Sequence, residues 1–305
     1  MKAKIEPHKI EPYKIVITTF FVVFSLLYVL PLVMIISVSL SSEASVTNPL
    51  GGYSLLPKEF TLTAYKLAFS NQGDVVRGYA VTASQAFIGT FLSTMVAALV
   101  AYPLSRSGFA FRKPFTFYIF FTMLFSGGLI PSYIIMTQVY KIGNSFWIYI
   151  LPGMTGGAWG TLIMRTFFKG LPEDLFFSAR IDGASELRVF FQIVIPLSKP
   201  VFATLSFMTL VGKWNDWQTS LIYIRNSNLY TLQYMLQKIL NEAAFLNAMM
   251  KNPPKGMTAA MMHATKPVET LKYALCVIAA GPMLIIFPFF QKYFARGLTI
   301  GAVKG

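Results

Sequence analysis

The sequence predicts an all-α integral membrane protein of about six transmembrane helices. Hydrophobic residues make up 55% of the chain and charged residues 12%, and mean hydropathy is +0.57, a balance outside the range of soluble domains. Apolar runs of about 20 residues, the length a helix needs to cross hydrocarbon, recur at Ile15–Leu40, Val81–Ser105, Pro114–Met136, Phe146–Phe168, Val201–Ile222 and Tyr273–Phe290. Basic residues are biased as the retention of Lys and Arg on the cytoplasmic side requires. Residues 1–14, 105–113, 165–199 and the tail after Gln291 hold roughly 15 in about 75 positions, against about 10 in about 95 for the other loops. Both termini are therefore expected in the cytoplasm, with residues 1–305 forming a single membrane domain.

The first run follows Lys2, Lys4, Lys9 and Lys14 but is too long for a signal h-region and lacks a small-residue cleavage site, so it is expected to stay as a span. Residues 41–79 form the first external loop. In the third run, Ser126-Gly127-Gly128 and Pro131 weaken the outer half, because Pro removes a donor and Gly adds freedom. On the fourth run, Gly153, Gly156, Gly157 and Gly160 give overlapping GxxxG spacings, which predict close packing against another helix. Residues 224–272 form the second external loop. Its Met- and Ala-rich stretch Glu242–Met250, then Pro253-Pro254 and Ala259–Ala264, predict short helices open to a protein partner.

Several functions are excluded. The net charge of +14 is scattered over membrane-flanking loops without a basic stripe interleaved with aromatics, so it reads as topology and attraction to anionic lipid rather than nucleic-acid binding. No Gly-x-x-x-x-Gly-Lys-Ser/Thr loop is present to hold a nucleotide. His8 and His263 stand alone, and the single Cys276 permits neither an internal disulfide nor a thiol metal site. No catalytic constellation is visible, so no enzymatic activity and no bound cofactor are expected in this polypeptide.

Pro172–Pro200 is a polar, turn-containing insert between apolar runs. Pro172, Glu173 and Asp174 mark a helix start, with carboxylates at the positive dipole end. Asp182-Gly183 supplies the C-cap. A second helix follows, with Leu187, Phe190, Phe191 and Val194 on one apolar face, and Pro196 and Pro200 end it. Periodicity fits a hairpin docked on a soluble partner and one lying on lipid equally well.

The fifth run contains a polar cluster, Lys213, Trp214, Asn215, Asp216 and Trp217. From a helix start near Val201, a 1.5 Å rise per residue places Lys213 about 18 Å in, near the bilayer midplane. A charge there costs about 3 kcal/mol unless paired or wet. Spacing allows Lys213 and Asp216 to pair on one face, with Trp214 and Trp217 on a neighbouring one. The cluster as a whole is read as lining a substrate path, because intramembrane charge is functional by default, with a salt-bridged knot that fixes helix packing as the alternative.

The string Ser178-Ala179-Arg180-Ile181-Asp182-Gly183-Ala184-Ser185, followed by Ile193-Val194-Ile195-Pro196-Leu197, resembles the EAA loop of ABC importer permeases. Ala101–Arg106, Phe125–Pro131, Phe290–Phe294 and Gly301–Gly305 are also similar to the carbohydrate-uptake branch, and more narrowly to the shorter of its two permeases. Where that family usually has the Glu of Glu-Ala-Ala, this chain has Phe177; Glu173 or Asp174 stands one turn away. The resemblance implies a type I ABC importer permease in a bacterial cytoplasmic membrane, moving an oligosaccharide or polysaccharide by alternating access. It also implies four partners besides lipid: a second permease, two ATP-binding subunits that use ATP and Mg, and an external sugar-binding protein. The coupling loop would comprise Glu173, Asp174, Phe177, Ser178, Ala179, Asp182, Gly183, Ile195 and Pro196. Two competing classes are an ATP-independent channel or facilitator, and a membrane assembly or export factor.

Overall fold

A computed structural model describes residues 12–48, 52–70, 74–155, 157–251 and 269–302. The regular elements among the described residues are all helical. Among the described residues, three helices are long and apolar enough to cross a membrane, Tyr13–Ser39, Asp74–Ser105 and Glu269–Gln291. Two bent pairs bring the candidate spans to as many as 5. The chain falls into two compact units, residues 1–71 with 240–278 and residues 72–239 with 279–305.

In the first unit, α1 (Pro12–Ser39) runs 28 residues with apolar side chains exposed along most of its length. The short α2 (Glu43–Val46) is capped by Ser42, whose hydroxyl accepts from the Ser45 N–H. α3 (Thr63–Ser70) follows. Glu43 accepts hydrogen bonds from the backbone N–H of Glu269 at 2.8 Å and of Thr270 at 2.9 Å, and from the Thr270 hydroxyl at 2.8 Å. A carboxylate thus satisfies the orphan donors at a helix start, where the dipole also favours negative charge.

The second unit is built on α4 (Asp74–Ser105), 32 residues long. Its buried face is rich in small residues, among them Ala86, Gly89, Ser93, Ala97 and Ala101. Small side chains let neighbouring backbones approach closely, which drives helix association where lipid removes the hydrophobic incentive. After α5 (Arg112–Leu124) the chain turns through Gly128, at φ 85°, into α6 (Leu129–Ile134) and a π-turn to Val139. The two arms meet at 108°, so the third apolar run is a sharply broken element and not a straight span.

The fourth run differs more. Phe146–Tyr149 and Leu151–Thr155 are 3-10 turns, and only Ala158–Lys169 forms an α-helix, α7. Pro152 and Gly157, at φ 63°, prevent one continuous helix. Gly153, in a 3-10 turn, and Gly157 therefore do not share a helix face; Gly160 has open space around it within this chain, and Gly156 lies outside the described residues.

α8 (Asp174–Ile181), α9 (Glu186–Val189), a π-turn over Phe190–Val194 and α10 (Ile195–Leu197) form the 172–200 connector. Pro196 sits inside this helical run. The break comes at Ser198, where the run meets α11 (Lys199–Trp214) at 81°. α11 ends at Trp214, well short of the predicted Ile222, and α12 (Gln218–Tyr223) resumes after a three-residue gap. Among the described residues of the second loop, Glu242–Met250 belongs to a 20-residue helix, α13 (Leu232–Lys251), and not to a short one. Pro253-Pro254 and Ala259–Ala264 lie outside the described residues. The last helix, α14, covers Glu269–Ala302.

Candidate functional site

The 172–200 connector is seated on the Ser105 end of α4. Ala97, Ala98, Ala101 and Tyr102 of α4 form one core with Met164 and Phe168 of α7, Phe176 and Ala179 of α8, and Val189, Phe190 and Val194. At the end of α8, Gly183 takes φ 73°. Its N–H donates to the Arg180 carbonyl at 3.0 Å, and the Ala184 N–H donates to the Ala179 carbonyl at 2.9 Å. This is a Schellman cap, which the left-handed glycine makes possible.

The predicted apolar face of the second hairpin helix is divided. Phe190 and Val194 are buried together with Val189, whereas Leu187 and Phe191 are exposed. With Leu175, Phe177 and Ile181 of α8, they leave an outward set of large apolar side chains, of which Ile181 is 86% exposed. Glu173, Asp174, Ser178 and Asp182 are exposed, Ile195 is half-buried, Pro196 is exposed and Ala179 is in the core.

Glu186 carries no sequence signal of its own, yet it ties the connector to α4. The Tyr102 hydroxyl donates to its Oε2 at 2.6 Å, and Arg180 donates to its Oε1 at 2.9 Å. Arg106 stacks its guanidinium over the Phe176 ring at 3.7 Å and donates to the Phe168 carbonyl at 2.6 Å. Side chains from α4, α8 and α9 thereby meet in one hydrogen-bonded cluster, beside a groove of about 540 Å³.

The polar cluster of the fifth run sits at a helix break, where freed backbone groups need polar partners. Lys213 and Asp216 do not pair. Lys213 Nζ donates to the Tyr149 carbonyl at 3.0 Å, and the Lys213 carbonyl accepts from Gln85 Nε2. Asp216 accepts from the Thr219 N–H at 3.0 Å and its hydroxyl at 2.6 Å, closing the first turn of α12. Trp214 is buried, its indole N–H donating to the Ala279 carbonyl at 2.9 Å. Trp217 is half-buried, and Asn215 is exposed with its amide on the Val211 carbonyl at 2.9 Å. The five residues therefore part company, and Lys213 lines a cavity of about 350 Å³ with Ser93, Thr155, Gly157, Gly160 and Thr209.

Broken apolar helices around a small-residue span, carrying a polar helical connector with an exposed apolar face, are the features of a membrane-embedded protein with a docking element. The chain belongs to the family described as "Binding-protein-dependent transport system inner membrane component", whose profile matches residues 89–300. It is 34% identical over 294 residues to the polygalacturonan/rhamnogalacturonan transport system permease protein YtcP of Bacillus subtilis, covering 96% of this chain and 98% of that one. It is 37% identical over 279 residues to Protein LplC of the same organism, covering 91% and 90%. Among solved structures it is similar to a bacterial ABC transporter involved in import of the acidic polysaccharide alginate, with TM-score 0.77 and 26% identity, over 96% of this chain and 100% of that one. The first of these relatives is named a permease and the solved structure an ABC importer; this chain is accordingly a transport permease of that family and not an enzyme.

Proposed function

We propose that this chain is one of two membrane-spanning permease subunits of an ATP-driven importer for oligosaccharide or polysaccharide fragments, in a bacterial cytoplasmic membrane with both termini inside. Residues 172–200 are its cytoplasmic coupling hairpin. The observation that carries this reading is the division of that hairpin into two faces. Phe176, Ala179, Val189, Phe190 and Val194 are built into the core of α4 and α7, while Leu175, Phe177, Ile181, Leu187 and Phe191 face outward. A hairpin that merely lay on lipid would gain nothing from being tied to α4 through Glu186; one that transmits force needs that tie. The outward face suits a groove of an ATP-binding subunit. With Phe177 in place of a carboxylate, the contact is apolar, Glu173 and Asp174 supplying charge at its edge.

Closure of two ATP-binding subunits on nucleotide and Mg would move the hairpin as a lever and switch the bundle between inward and outward openings. Each partner must bind the two states unequally for that exchange to be driven. A second permease completes the path, and an external binding protein delivers the cargo. The names of the similar permeases and the alginate importer support a saccharide cargo, and Lys213, Asn215, Asp216 and Trp217 are the path candidates, with Trp214 packed behind them. The decisive experiment is purification of this chain from its native membrane, followed by ATPase assay of the reconstituted assembly with binding protein and oligosaccharides. Saccharide-stimulated hydrolysis is expected; a functional oligomer of this chain lacking any ATPase would overturn the reading.

A further inference from the structure

The groove beside the Tyr102–Glu186 bond joins two chemistries. Its apolar wall includes Leu99 and Pro103 of α4 and Leu187 of α9, and its polar wall is made by Arg106, Arg180 and Glu186. These walls lie at different depths. A rise of 1.5 Å per residue puts Leu99 about 9 Å before Ser105, the last residue of a helix long enough to cross a membrane, and Arg106 follows directly after it. The groove therefore runs from the edge of the hydrocarbon to headgroup level. Its volume of about 540 Å³ falls within the range of ligand pockets.

The polar wall is net positive. Arg106 donates from Nε to the Ser105 hydroxyl at 3.0 Å and from Nη2 to the Phe168 carbonyl at 2.6 Å. Arg180 directs Nε and Nη2 at one oxygen of Glu186, at 3.2 and 2.9 Å. A guanidinium has five donors, and these bonds among the described residues use two on each. Both Glu186 oxygens are engaged, the other by Tyr102, and Glu173 acts on Arg106 through space. The loop that brings Gly108 and Phe109 to the groove runs on into Arg112 and Lys113, and the sequence has no acidic residue between Asp74 and Glu173. Two carboxylates thus face four bases. Phe111 and Phe115 of the same stretch are exposed and gather with Phe109, ring centroids 6.3 to 6.5 Å apart. Bases beside exposed rings are the composition of a segment at the headgroup boundary. A soluble anion would meet the guanidiniums and leave Leu99 and Leu187, 40% and 65% exposed, bare. A ligand with an anionic head and an apolar chain meets both walls.

We propose that this groove binds an anionic phospholipid, its headgroup on Arg106 and Arg180 and its chain along Leu99 and Leu187. The lipid joins the same elements that Glu186 joins, the end of α4 and α8, and so helps to hold the connector in place. This goes beyond the carrier reading and rests on it only for the membrane placement of α4. The test uses the full assembly, permease pair with ATP-binding subunits, in nanodiscs of equal parts phosphatidylglycerol and phosphatidylcholine, one or the other carrying a photoreactive group in its chain. Labelled peptides are mapped by mass spectrometry. Peptides covering 99–109 and 187–190 are expected to take phosphatidylglycerol over phosphatidylcholine by about fivefold or more. Arg180→Gln, at a half-exposed side chain, should bring that ratio towards unity, and Arg180→Lys should keep most of it. Arg188→Gln, on the same connector but outside the groove, should leave it unchanged. Equal labelling of the wild type by the two lipids overturns the proposal, whatever the variants do. So does an absence of label, the result if an ATP-binding subunit covers the groove, and so does an equal drop in Arg188→Gln, which marks diffuse surface attraction. Loss of label in excess inorganic phosphate gives the site to a free anion and overturns the lipid assignment. Saccharide-stimulated ATPase in the same discs reports on the carrier reading separately: selective labelling without stimulation keeps the lipid site and removes the carrier, and stimulation with equal labelling does the reverse.

Discussion

Lys213 and Gly89 fit together as side chain and vacancy: the Lys213 Nζ lies where a methyl group on Gly89 would come within 2.7 Å. The helix that carries the charge and the small-residue helix that accommodates it were shaped by one constraint. Gly89→Ala should expel the ammonium from its slot and break its bond to the Tyr149 carbonyl. Loss of a charged hydrogen bond costs about 1.5–3 kcal/mol, and alanine returns up to about 1 kcal/mol of helix propensity. A net loss of about 1 kcal/mol is expected in thermal unfolding of the purified assembly. In a Lys213→Ala background the same substitution should be neutral or stabilising, and equal cost in both backgrounds would show that the slot does not matter.

Gly183 tests the hairpin cap. A Cβ there would meet nothing within 4 Å, so space is not the issue. Its φ of 73° is the whole cost, about 1–2 kcal/mol for a residue with a side chain. Gly183→Ala should lower the coupling ratio of transport to ATP hydrolysis more than Phe177→Glu, because Phe177 is exposed and its replacement disturbs no core contact. Ala179→Leu, pressing into the buried cluster, should act like Gly183→Ala. Equal coupling in all three variants would separate the hairpin from force transmission.

Tyr102→Phe removes one hydroxyl and leaves the ring in the core. It deprives Glu186 of its 2.6 Å donor, a loss of about 1–3 kcal/mol for a hydrogen bond to a charged group. Faster hydrogen exchange or proteolysis confined to residues 172–197 is the expected outcome. The Arg180–Glu186 pair is half exposed on both sides and should contribute less than about 1 kcal/mol, so Arg180→Gln should produce the smaller change.

Glu43→Ala should loosen the start of α14. It removes the acceptor for two backbone N–H groups and one hydroxyl, and losses at helix caps are typically about 1–2 kcal/mol. Hydrogen exchange at Glu269–Leu271 is the measurement, and Glu43→Asp, too short to reach the same donors without movement, should recover only part of the protection.

Much of this protein was legible in its sequence for a definite reason. Membrane crossing depends on local composition, so α1, α4 and α14 emerge from run length alone. The Gly183 cap is equally local, since only a residue without Cβ adopts that conformation cheaply. The broken third, fourth and fifth runs were less legible. Apolar composition is the same whether a helix continues or bends by 81° or 108°, and what decides is whether neighbouring elements satisfy the freed backbone groups. GxxxG spacing implied helix packing, but Gly153 instead makes room for Lys213.

The sequence by itself determined an all-helical membrane protein with a polar connector, because hydropathy and capping act over a few residues; the permease class came from the resemblance carried by residues 178–197 and not from composition. Tertiary structure decided which partner each polar group takes. Lys213 donates to the Tyr149 carbonyl, 64 positions distant, and not to Asp216, three residues away; the Trp214 indole takes the Ala279 carbonyl; Glu186 accepts from Tyr102, 84 positions earlier, as well as from the nearby Arg180. A buried charge or donor must be satisfied by whatever the packed helices bring within about 3 Å, and no pattern along one helix states what that will be.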